Sequence, residues 1–467
     1  MALVKPADVV PLRDLGRVHL VGIGGAGMSA IARIMLARGV AVSGSDAAES
    51  VTLKELAALG ARVHVGHDAA NLGDAGTLVV SSAIREQNPE LVAARQRGLR
   101  VLHRAGALAS LADGRRVIAV TGTHGKTTTT SMIATILLGA GAEPGYAIGG
   151  TLASTGVNAA DGPGRDFVIE ADESDGSFLM LAPDAAVITN VDADHLDNYG
   201  TVAAYQASFT AFCERIVPGG ILLACADDPG AAQVAAHGAA RGLRVRTYGE
   251  SAAADYRLAR ATVDGMTTRF RVQGPAGELD IQVGVPGRHY ALNGTAALAI
   301  AAETGTDPQA AAAALAGYQG AGRRMEPKGE ARGVRVLDTY AHHPTEIAAD
   351  LAAAKDIAVG GRVIAVFQPH LFSRTRIFAA DLGAALARAD EAIVLDVYAA
   401  REDPEPGITG QVVVDAVPGG ARYVPLAADV PRAVAALAKA GDVVLTMGAG
   451  DITRVGPLIL AEIAAGQ

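Results

Sequence analysis

Two glycine turns constrain this chain more than any other feature. The first, Gly22-Ile23-Gly24-Gly25-Ala26-Gly27, follows the apolar run Arg17–Val21 and leads into a helical stretch expected over Ala26–Arg38. The second, Thr121-Gly122-Thr123-His124-Gly125-Lys126-Thr127-Thr128, follows the run Val117–Val120 and opens a helix expected from about Lys126 to Leu138. A strand that ends in glycines and turns at once into a helix begins a βαβ unit, and it leaves helix N–H groups free for a phosphate. Strand-like runs continue to alternate with Ala/Leu-rich helical stretches, as at Val40–Ser43, Thr77–Val80, Arg362–Phe367, Ala392–Val397 and Asp442–Met447. The expectation is therefore an α/β fold with mainly parallel sheets.

A chain of 467 residues has room for roughly three domains. A polar break at Asp113-Gly114-Arg115-Arg116 and a glycine- and arginine-rich segment at Gly320–Lys328 place the boundaries near 112 and 321. The expected domains are 1–112, Rossmann-like; 113–321, a P-loop-type ATPase domain with a parallel sheet; and 322–467, Rossmann-like again. Gly320–Gly322 is a candidate hinge, and the alternation between Arg257 and Val285 suggests an antiparallel patch. The net charge of −9 gives no global basic field, so nucleic-acid binding is not expected. No apolar run approaches the ~20 residues of a membrane span. The two cysteines, Cys213 and Cys225, match no zinc or redox spacing. A soluble cytoplasmic protein is expected, as a monomer or weak homodimer.

The first turn fits G-x-G-x-x-G, and Asp46 follows about 20 residues on, where a carboxylate can accept from a ribose hydroxyl. Gly22, Gly24, Gly25 and Gly27 would cradle a diphosphate; the motif leaves the nucleotide open, with a dinucleotide as the default. The second turn is shorter than the usual P-loop, with Gly122 three positions before Gly125. Its chemistry is complete: backbone N–H groups for phosphates, Lys126 for the β/γ oxygens, and a Thr127 hydroxyl for Mg²⁺. Helix-start chemistry explains the threonines Thr127–Thr130 but not G-K-T after an apolar strand. Glu170 ends the run Phe167–Ile169, where a carboxylate can complete Mg²⁺ coordination. Asp172, Glu173 and Asp175 follow; a charge run of this kind also reads as a solvated loop. His195 lies between carboxylates in Asp192-Ala193-Asp194-His195-Leu196-Asp197, after the run Ala186–Thr189. In the third region Arg323, Arg324, Asp338-Thr339-Tyr340-Ala341-His342-His343-Pro344 and Gln368-Pro369-His370-Leu371-Phe372-Ser373-Arg374-Thr375-Arg376 supply cations at strand ends, which suits a carboxylate. The adjacent histidines also fit capping before Pro344.

The order of G-I-G-G-A-G-M, S-G-S-D, T-G-T-H-G-K-T-T, E-A-D-E-S-D, D-A-D-H-L-D, G-R-H-Y-A-L-N, D-T-Y-A-H-H-P-T-E and Q-P-H-L-F-S-R-T-R resembles the Mur ligase family over essentially the whole chain. The resemblance implies an ATP-dependent amide ligase of peptidoglycan synthesis that uses Mg²⁺ or Mn²⁺. It would join L-alanine to the lactyl carboxylate of UDP-N-acetylmuramate through an acyl phosphate. The first turn then serves UDP rather than NAD, with His67, Ser81 and Ser82 as further candidates on that side. Gly122, Thr123, His124, Gly125, Lys126, Thr127 and Thr128 would bind ATP, with Asn293 at the adenine region and Arg323 at the nucleotide. Thr127, Glu170 and His195 would serve the metal, and Lys126, Glu170, His195, Arg323 and Asp338 the chemistry. Tyr340, His342 and Arg374 would face the amino acid, in a C-terminal domain closing over ATP. Three positions depart from many relatives: Tyr290 in place of Asn, Thr339 in place of a second acid, and Leu371 in place of a basic residue. Three other functions remain open: a recycling ligase that attaches a tripeptide, an NAD-dependent oxidoreductase, and a non-catalytic nucleotide-binding regulator.

Overall fold

The structure, a computed structural model, describes residues 3–466 except 359. The first apolar run forms β1 (Val18–Val21), buried at every position, and the glycine turn delivers the chain into α1 (Ala26–Ala37). α1 buries Met28, Ile31, Ile34 and Met35, the spacing of one helical face. The pattern repeats through β2 (Val42–Asp46), α2 (Val51–Ala58), β3 (Arg62–Val65), β4 (Thr77–Val80), α3 (Pro89–Gln96), β5 (Arg100–His103) and α4 (Arg104–Ala112). The five strands are parallel in the order β3-β2-β1-β4-β5. The order switches sides at β1, so the first turn stands where open α/β sheets receive ligands. β2 begins at Val42 rather than Val40 because Val40 still serves α1. Its N–H bonds to the Met35 carbonyl at 2.9 Å, and Gly39 takes φ +76° to end the helix.

The second sheet is built from β6 (Arg116–Thr121), β7 (Gly145–Ala147), β8 (Ala159–Ala160), β9 (Asp166–Glu170), β10 (Ala185–Ile188), β11 (Ile221–Cys225) and β12 (Arg244–Gly249), in the order β12-β11-β10-β6-β9-β7-β8. Only β8 is antiparallel to its neighbour here. Helices α5 (Lys126–Gly139), α6 (Leu196–Tyr199), α7 (Val202–Cys213) and α8 (Pro229–Ala240) connect them. β6 lies between β9 and β10, so the three strand ends carrying the phosphate loop, Glu170 and the Asn190–His195 segment are neighbours, ~5 Å apart per step. α5 is buried almost all round, and two of its polar residues are satisfied locally: Thr130 donates to the Lys126 carbonyl and Ser131 to that of Thr128, both at 2.8 Å. β13 (Tyr256–Asp264), β14 (Thr267–Gly274) and β15 (Gly277–Val283) continue this sheet beyond β12 to ten strands, and are joined by two-residue links, the hairpin geometry expected of the alternating segment. α9 (Arg288–Glu303) and α10 (Pro308–Leu315) follow.

The third sheet has the order β16-β17-β21-β18-β19-β20, from β16 (Glu326–Ala331), β17 (Val334–Thr339), β18 (Val363–Phe367), β19 (Glu391–Val394), β20 (Arg422–Tyr423) and β21 (Val443–Met447). It is parallel apart from β16. α11 (Pro344–Ile357) and α12 (Phe372–Leu386) start at the strand ends that carry the third region's histidines and arginines. Val336, Ile364, Val366, Ile393 and Val444 form its core with Ile459. The chain thus folds as three α/β domains on three sheets. Its contacts group into two compact units: Met1–Ala259, Val272–Leu279 and Leu292–Gly317 form one, and Arg260–Arg271, Asp280–Ala291 and Tyr318–Gln467 the other. Among the described residues no helix is long and apolar enough to cross a membrane.

Candidate active site

The phosphate loop is held in one shape by its neighbours. Gly122 takes φ +132°, and a Cβ there would lie 2.0 Å from the Thr189 hydroxyl, so only glycine fits. Asn190 accepts from the His124 N–H at 2.8 Å and donates to its carbonyl at 3.1 Å; Thr189 donates to the same carbonyl at 2.6 Å. Thr123 donates to the Asp192 carbonyl at 2.9 Å and stands 2.8 Å from the Tyr205 hydroxyl. Gly125, left-handed at φ +81°, caps α5, and a Cβ on it would meet the Asn293 amide at 2.7 Å. Asn293 therefore stands at the loop, as does Thr128 at the start of α5. Thr189, Asn190 and Asp192 were not separately assigned from the sequence; the signal was the polar run directly after an apolar strand.

Lys126 reaches back across the loop. Its ammonium donates to the carbonyls of Gly122 and Thr123, at 2.6 and 3.0 Å, and to Glu173 at 2.9 Å. Burial pulls the ammonium pKa down, but the charges of Glu173, Asp172 and Glu170 outweigh that and hold it above its ordinary value. Glu173 has no exposed side-chain surface and also lies 3.4 Å from His195 Nε2. His195 is itself left-handed at φ +54° and sits 3.6 Å from Asp194. Sequence reasoning counted Glu173 only as one acid in a run; the structure makes it the residue that links Lys126 to His195.

Glu170, at the end of β9, accepts from the Thr127 hydroxyl at 3.0 Å and from the Gly149 N–H at 2.6 Å. Thr127 and Glu170 are thus brought together as a pair of hard oxygen donors that suits a small divalent cation. His195, expected with them, is placed instead against Glu173 and Asp194.

The first turn is closed by Asp46, whose carboxylate accepts from the Gly24 N–H at 2.9 Å. Gly22 takes φ +76°, and Gly25 donates to the Gly22 carbonyl at 3.1 Å. Beside Gly27 lies Arg104: a Cβ on that glycine would be 3.1 Å from the guanidinium. Arg104 in turn is paired with Asp172. One cavity of about 210 Å³ is lined by Gly27, Arg104, Gly149, Glu170, Asp172 and Phe178, among others. It runs from the first turn to the carboxylate beside the phosphate loop. Ser82 bonds to Asp175 and lies 3.0 Å from His103, while the Ser81 carbonyl accepts from the Ile84 N–H at 3.0 Å. His67 stands apart, after β3, against Ser45 and Glu90.

In the second unit, Arg323 is held at φ +58° with its guanidinium on the carbonyls of Gly448 and Gly450 and 3.4 Å from Asp338. Asp338, expected among the catalytic residues, is fully buried, and its oxygens accept from Thr446 and Thr453 at 2.7 and 2.8 Å. Asp338 thus pairs with Arg323 as well as accepting from the two threonines. The Arg323 and Arg324 guanidinium groups both lie 5.0 Å from the centre of the Tyr340 ring. His342 packs edge-on to Tyr340, its ring 6.1 Å from that of His370; Arg374 stands 3.3 Å from His370 and is almost fully buried. Tyr340, His342 and Arg374 therefore gather as one cluster with His370. The departures are absorbed locally: Thr339 donates to Asp350, which faces His289 at 3.3 Å, and Tyr290 is buried against the His289 ring. Leu371 is buried at φ +69°.

Comparison with known proteins agrees with this arrangement. The chain matches the Mur ligase family, catalytic domain, over residues 17–116; the Mur ligase middle domain over 120–301; and the Mur ligase, glutamate ligase domain over 323–450. It is 57% identical to a UDP-N-acetylmuramate–L-alanine ligase of Kineococcus radiotolerans over 98% of both chains. It is 54% identical to one of Thermobifida fusca, over 99% of this chain and all of the other. Among solved structures it resembles a UDP-N-acetylmuramate–alanine ligase of Thermotoga maritima, with TM-score 0.82 and 28% identity over 97% of this chain and 100% of that one. A murein peptide ligase of Psychrobacter arcticus gives TM-score 0.73 and 26% identity over 96% and 99%.

Proposed function

The chain belongs to the Mur ligase family, and from that premise we infer that it joins L-alanine to the lactyl carboxylate of UDP-N-acetylmuramate at the expense of ATP. The single observation that carries the reading is the cavity that has Gly27 of the first turn at one end and Glu170, beside the phosphate loop, at the other. A substrate with a nucleoside diphosphate at one end and a carboxylate to be phosphorylated at the other requires such a connection.

A carboxylate does not condense with an amine in water without activation. A lactyl oxygen attacks the γ-phosphorus, the bond to ADP breaks, and an acyl phosphate forms. Lys126 spreads positive charge over the phosphoryl oxygens, which is where charge develops in the transition state. Thr127 and Glu170 are the residues we assign to Mg²⁺, which supplies further neutralisation of the phosphates when bound. The amine of alanine then attacks the acyl carbon and phosphate leaves. We assign the alanine carboxylate to Arg374, whose planar fork matches it. His342 donates from Nδ1 to the Tyr340 carbonyl at 3.0 Å, which makes Nε2 the ring's acceptor and our choice of base for the amine. We further read 1–112 as the UDP-substrate domain, 113–321 as the ATP domain and 322–467 as the amino-acid domain, in a cytoplasmic enzyme.

The full-length identity to alanine ligases, 57% and 54%, against 26% to the peptide ligase, favours alanine over a tripeptide. The test is phosphate release from ATP and Mg²⁺ with UDP-N-acetylmuramate, with L-alanine present or omitted, and mass detection of the product. Alanine-dependent release with a UDP-muramoyl-alanine product is expected. Release with the tripeptide alone would transfer the reading to recycling, and no release with either would leave a nucleotide-binding protein.

A further inference from the structure

One asparagine is bonded towards both ends of the cavity that joins the first turn to Glu170. Asn158, directly before β8, is 8% exposed. Its side-chain amide donates to the Ala26 carbonyl at 2.7 Å and to the Ser29 hydroxyl at 3.3 Å, at the start of α1. A carbonyl only accepts, so the amide nitrogen faces the turn. The Asn158 main-chain carbonyl accepts from the Ile148 N–H at 2.9 Å. The next N–H along, that of Gly149, donates to the Glu170 carboxylate at 2.6 Å. A Cβ on Gly149 would stand 2.6 Å from the same carboxylate, so glycine permits this approach. Ala26, Ile148, Gly149 and Glu170 all line the cavity.

The segment is tied to α1 a second time. Asp161, which follows β8, accepts from the Arg38 guanidinium at 2.9 and 2.7 Å and from Arg115 at 3.2 Å. Arg38 closes α1. The helix that carries the first turn is therefore pinned to β8 of the second sheet at both ends, by Asn158 beside the turn and by Asp161 at the far end. The shape of the turn needs neither contact. Asp46 and the Gly22 carbonyl hold it from within, through the N–H groups of Gly24 at 2.9 Å and Gly25 at 3.1 Å. What Asn158 fixes is where the turn stands relative to Glu170. A substrate held by its diphosphate must bring its carboxylate to the transferring phosphorus, and a displacement of about 1 Å can cost ~100-fold in rate.

We propose that Asn158 is a positioning residue of the ligase reaction: it sets the distance from the UDP end of the substrate to the phosphate that is transferred, and acts on turnover rather than on the binding of either nucleotide. This rests on the reading of the chain as a ligase with UDP at the first turn and ATP at the second.

The test compares the full chain as wild type, Asn158→Leu, Asn158→Ala and Asp161→Asn. Asn158→Leu keeps the bulk and loses the donor. Asp161→Asn weakens the tie at the far end of α1 and serves as the structural control. The measurements are kcat and KM for alanine-dependent phosphate release, calorimetric binding of UDP and of ADP singly, and melting midpoints. Whichever of the Asn158 variants folds should lose about 10–100-fold in kcat. Its affinities for UDP and ADP should stay within about threefold of the wild type. Asp161→Asn should melt lower, with kcat within about threefold. A role in packing alone would lower the melting midpoint of all three variants and leave kcat unmoved in the folded protein, which overturns the proposal. An equal fall in kcat with Asp161→Asn overturns it as well, since any loosening of α1 would then suffice. So does a loss of UDP or ADP affinity large enough to account for the fall in turnover. No alanine-dependent release by the wild type overturns the ligase reading and the proposal together. Release by the wild type with an unchanged kcat in the Asn158 variants overturns the proposal alone.

Discussion

The Lys126–Glu173 pair makes a prediction that separates stability from catalysis. Lys126→Met removes the cation and leaves Glu173, a carboxylate with no exposed surface, facing His195 at 3.4 Å. Glu173→Gln removes the anion and leaves the ammonium on the carbonyls of Gly122 and Thr123. Removing one member of a buried pair costs about 3–5 kcal/mol, because the other charge keeps its desolvation without its partner. For a domain of this size each kcal/mol moves the melting midpoint by roughly 2–4 °C. Each single variant should therefore melt roughly 6–20 °C lower than the wild type in the absence of nucleotide. The double variant replaces the pair by uncharged groups of similar volume and should recover most of that loss, so that its cost falls far below the sum of the two single costs. Turnover should behave differently. Both variants lacking Lys126 should lose about a thousandfold in kcat, since the charge on the transferring phosphoryl group is no longer met. Thermal melts and phosphate release on the same four proteins read both quantities. A double variant whose loss equals the sum of the two single losses would show that the two charges are not coupled. A Lys126→Met enzyme with near-normal kcat would remove the lysine from the reaction.

Three further outcomes follow from particular contacts. Gly122→Ala places a Cβ 2.0 Å from the Thr189 hydroxyl at φ +132°, so calorimetry should show ATP binding weakened by at least about tenfold while UDP binding persists. Arg374→Lys keeps the charge but loses the fork, and should raise the KM for L-alanine by about 10–100-fold with little change in that for ATP, measured by phosphate release. The Glu90 carboxyl is lowered from an ordinary value of 4.5 to about 2. A depressed carboxyl adds stability that is complete above about 4.5 and drains away as the pH falls towards 2. Acid titration followed by circular dichroism should show a loss of about 3 kcal/mol across that window, and Glu90→Gln should remove this pH dependence.

The parts of the fold that glycine geometry dictates were legible beforehand. Gly22 and Gly122 both adopt positive φ, and each stands between a buried parallel strand and a helix, as their spacing implied. The Thr127–Glu170 contact was also legible, because Thr127 opens the helix after β6 and Glu170 ends the neighbouring β9. What the sequence hid depends on side chains meeting across strand order. Glu173 and Lys126 are 47 positions apart, and nothing local marks that acid from its neighbours. Glu90 reads as an exposed helix-start residue after Asn88 and Pro89, the usual reason for an acid in a first turn. It is buried only because α3 covers the face of the sheet that carries His19 and Ser45. Asp338 is the converse case: a carboxylate at a strand end beside Tyr340 reads as a reacting group, and its partners Thr446 and Thr453, from more than 100 positions further on, were not legible.

The charges around the phosphate loop explain why the nucleotide would not come alone. Glu170, Asp172, Glu173 and Asp175 face Lys126 and Arg104, so these groups alone leave two negative charges in excess before any ligand arrives. Both cations are already engaged, Lys126 by Glu173 and Arg104 by Asp172. A triphosphate adds several more negative charges to a site of low dielectric, where repulsion is strong. Lys126 can turn from Glu173 to the phosphates, but that transfers the deficit to a buried carboxylate and does not reduce it. The balance therefore calls for a further cation beside the phosphates, and the Thr127 hydroxyl and Glu170 carboxylate are the oxygen donors at hand. On this argument the pairing of Lys126 with Glu173 is a holding state. On the proposed function it would keep the ammonium charged and the loop in shape until a nucleotide takes the place of the carboxylate.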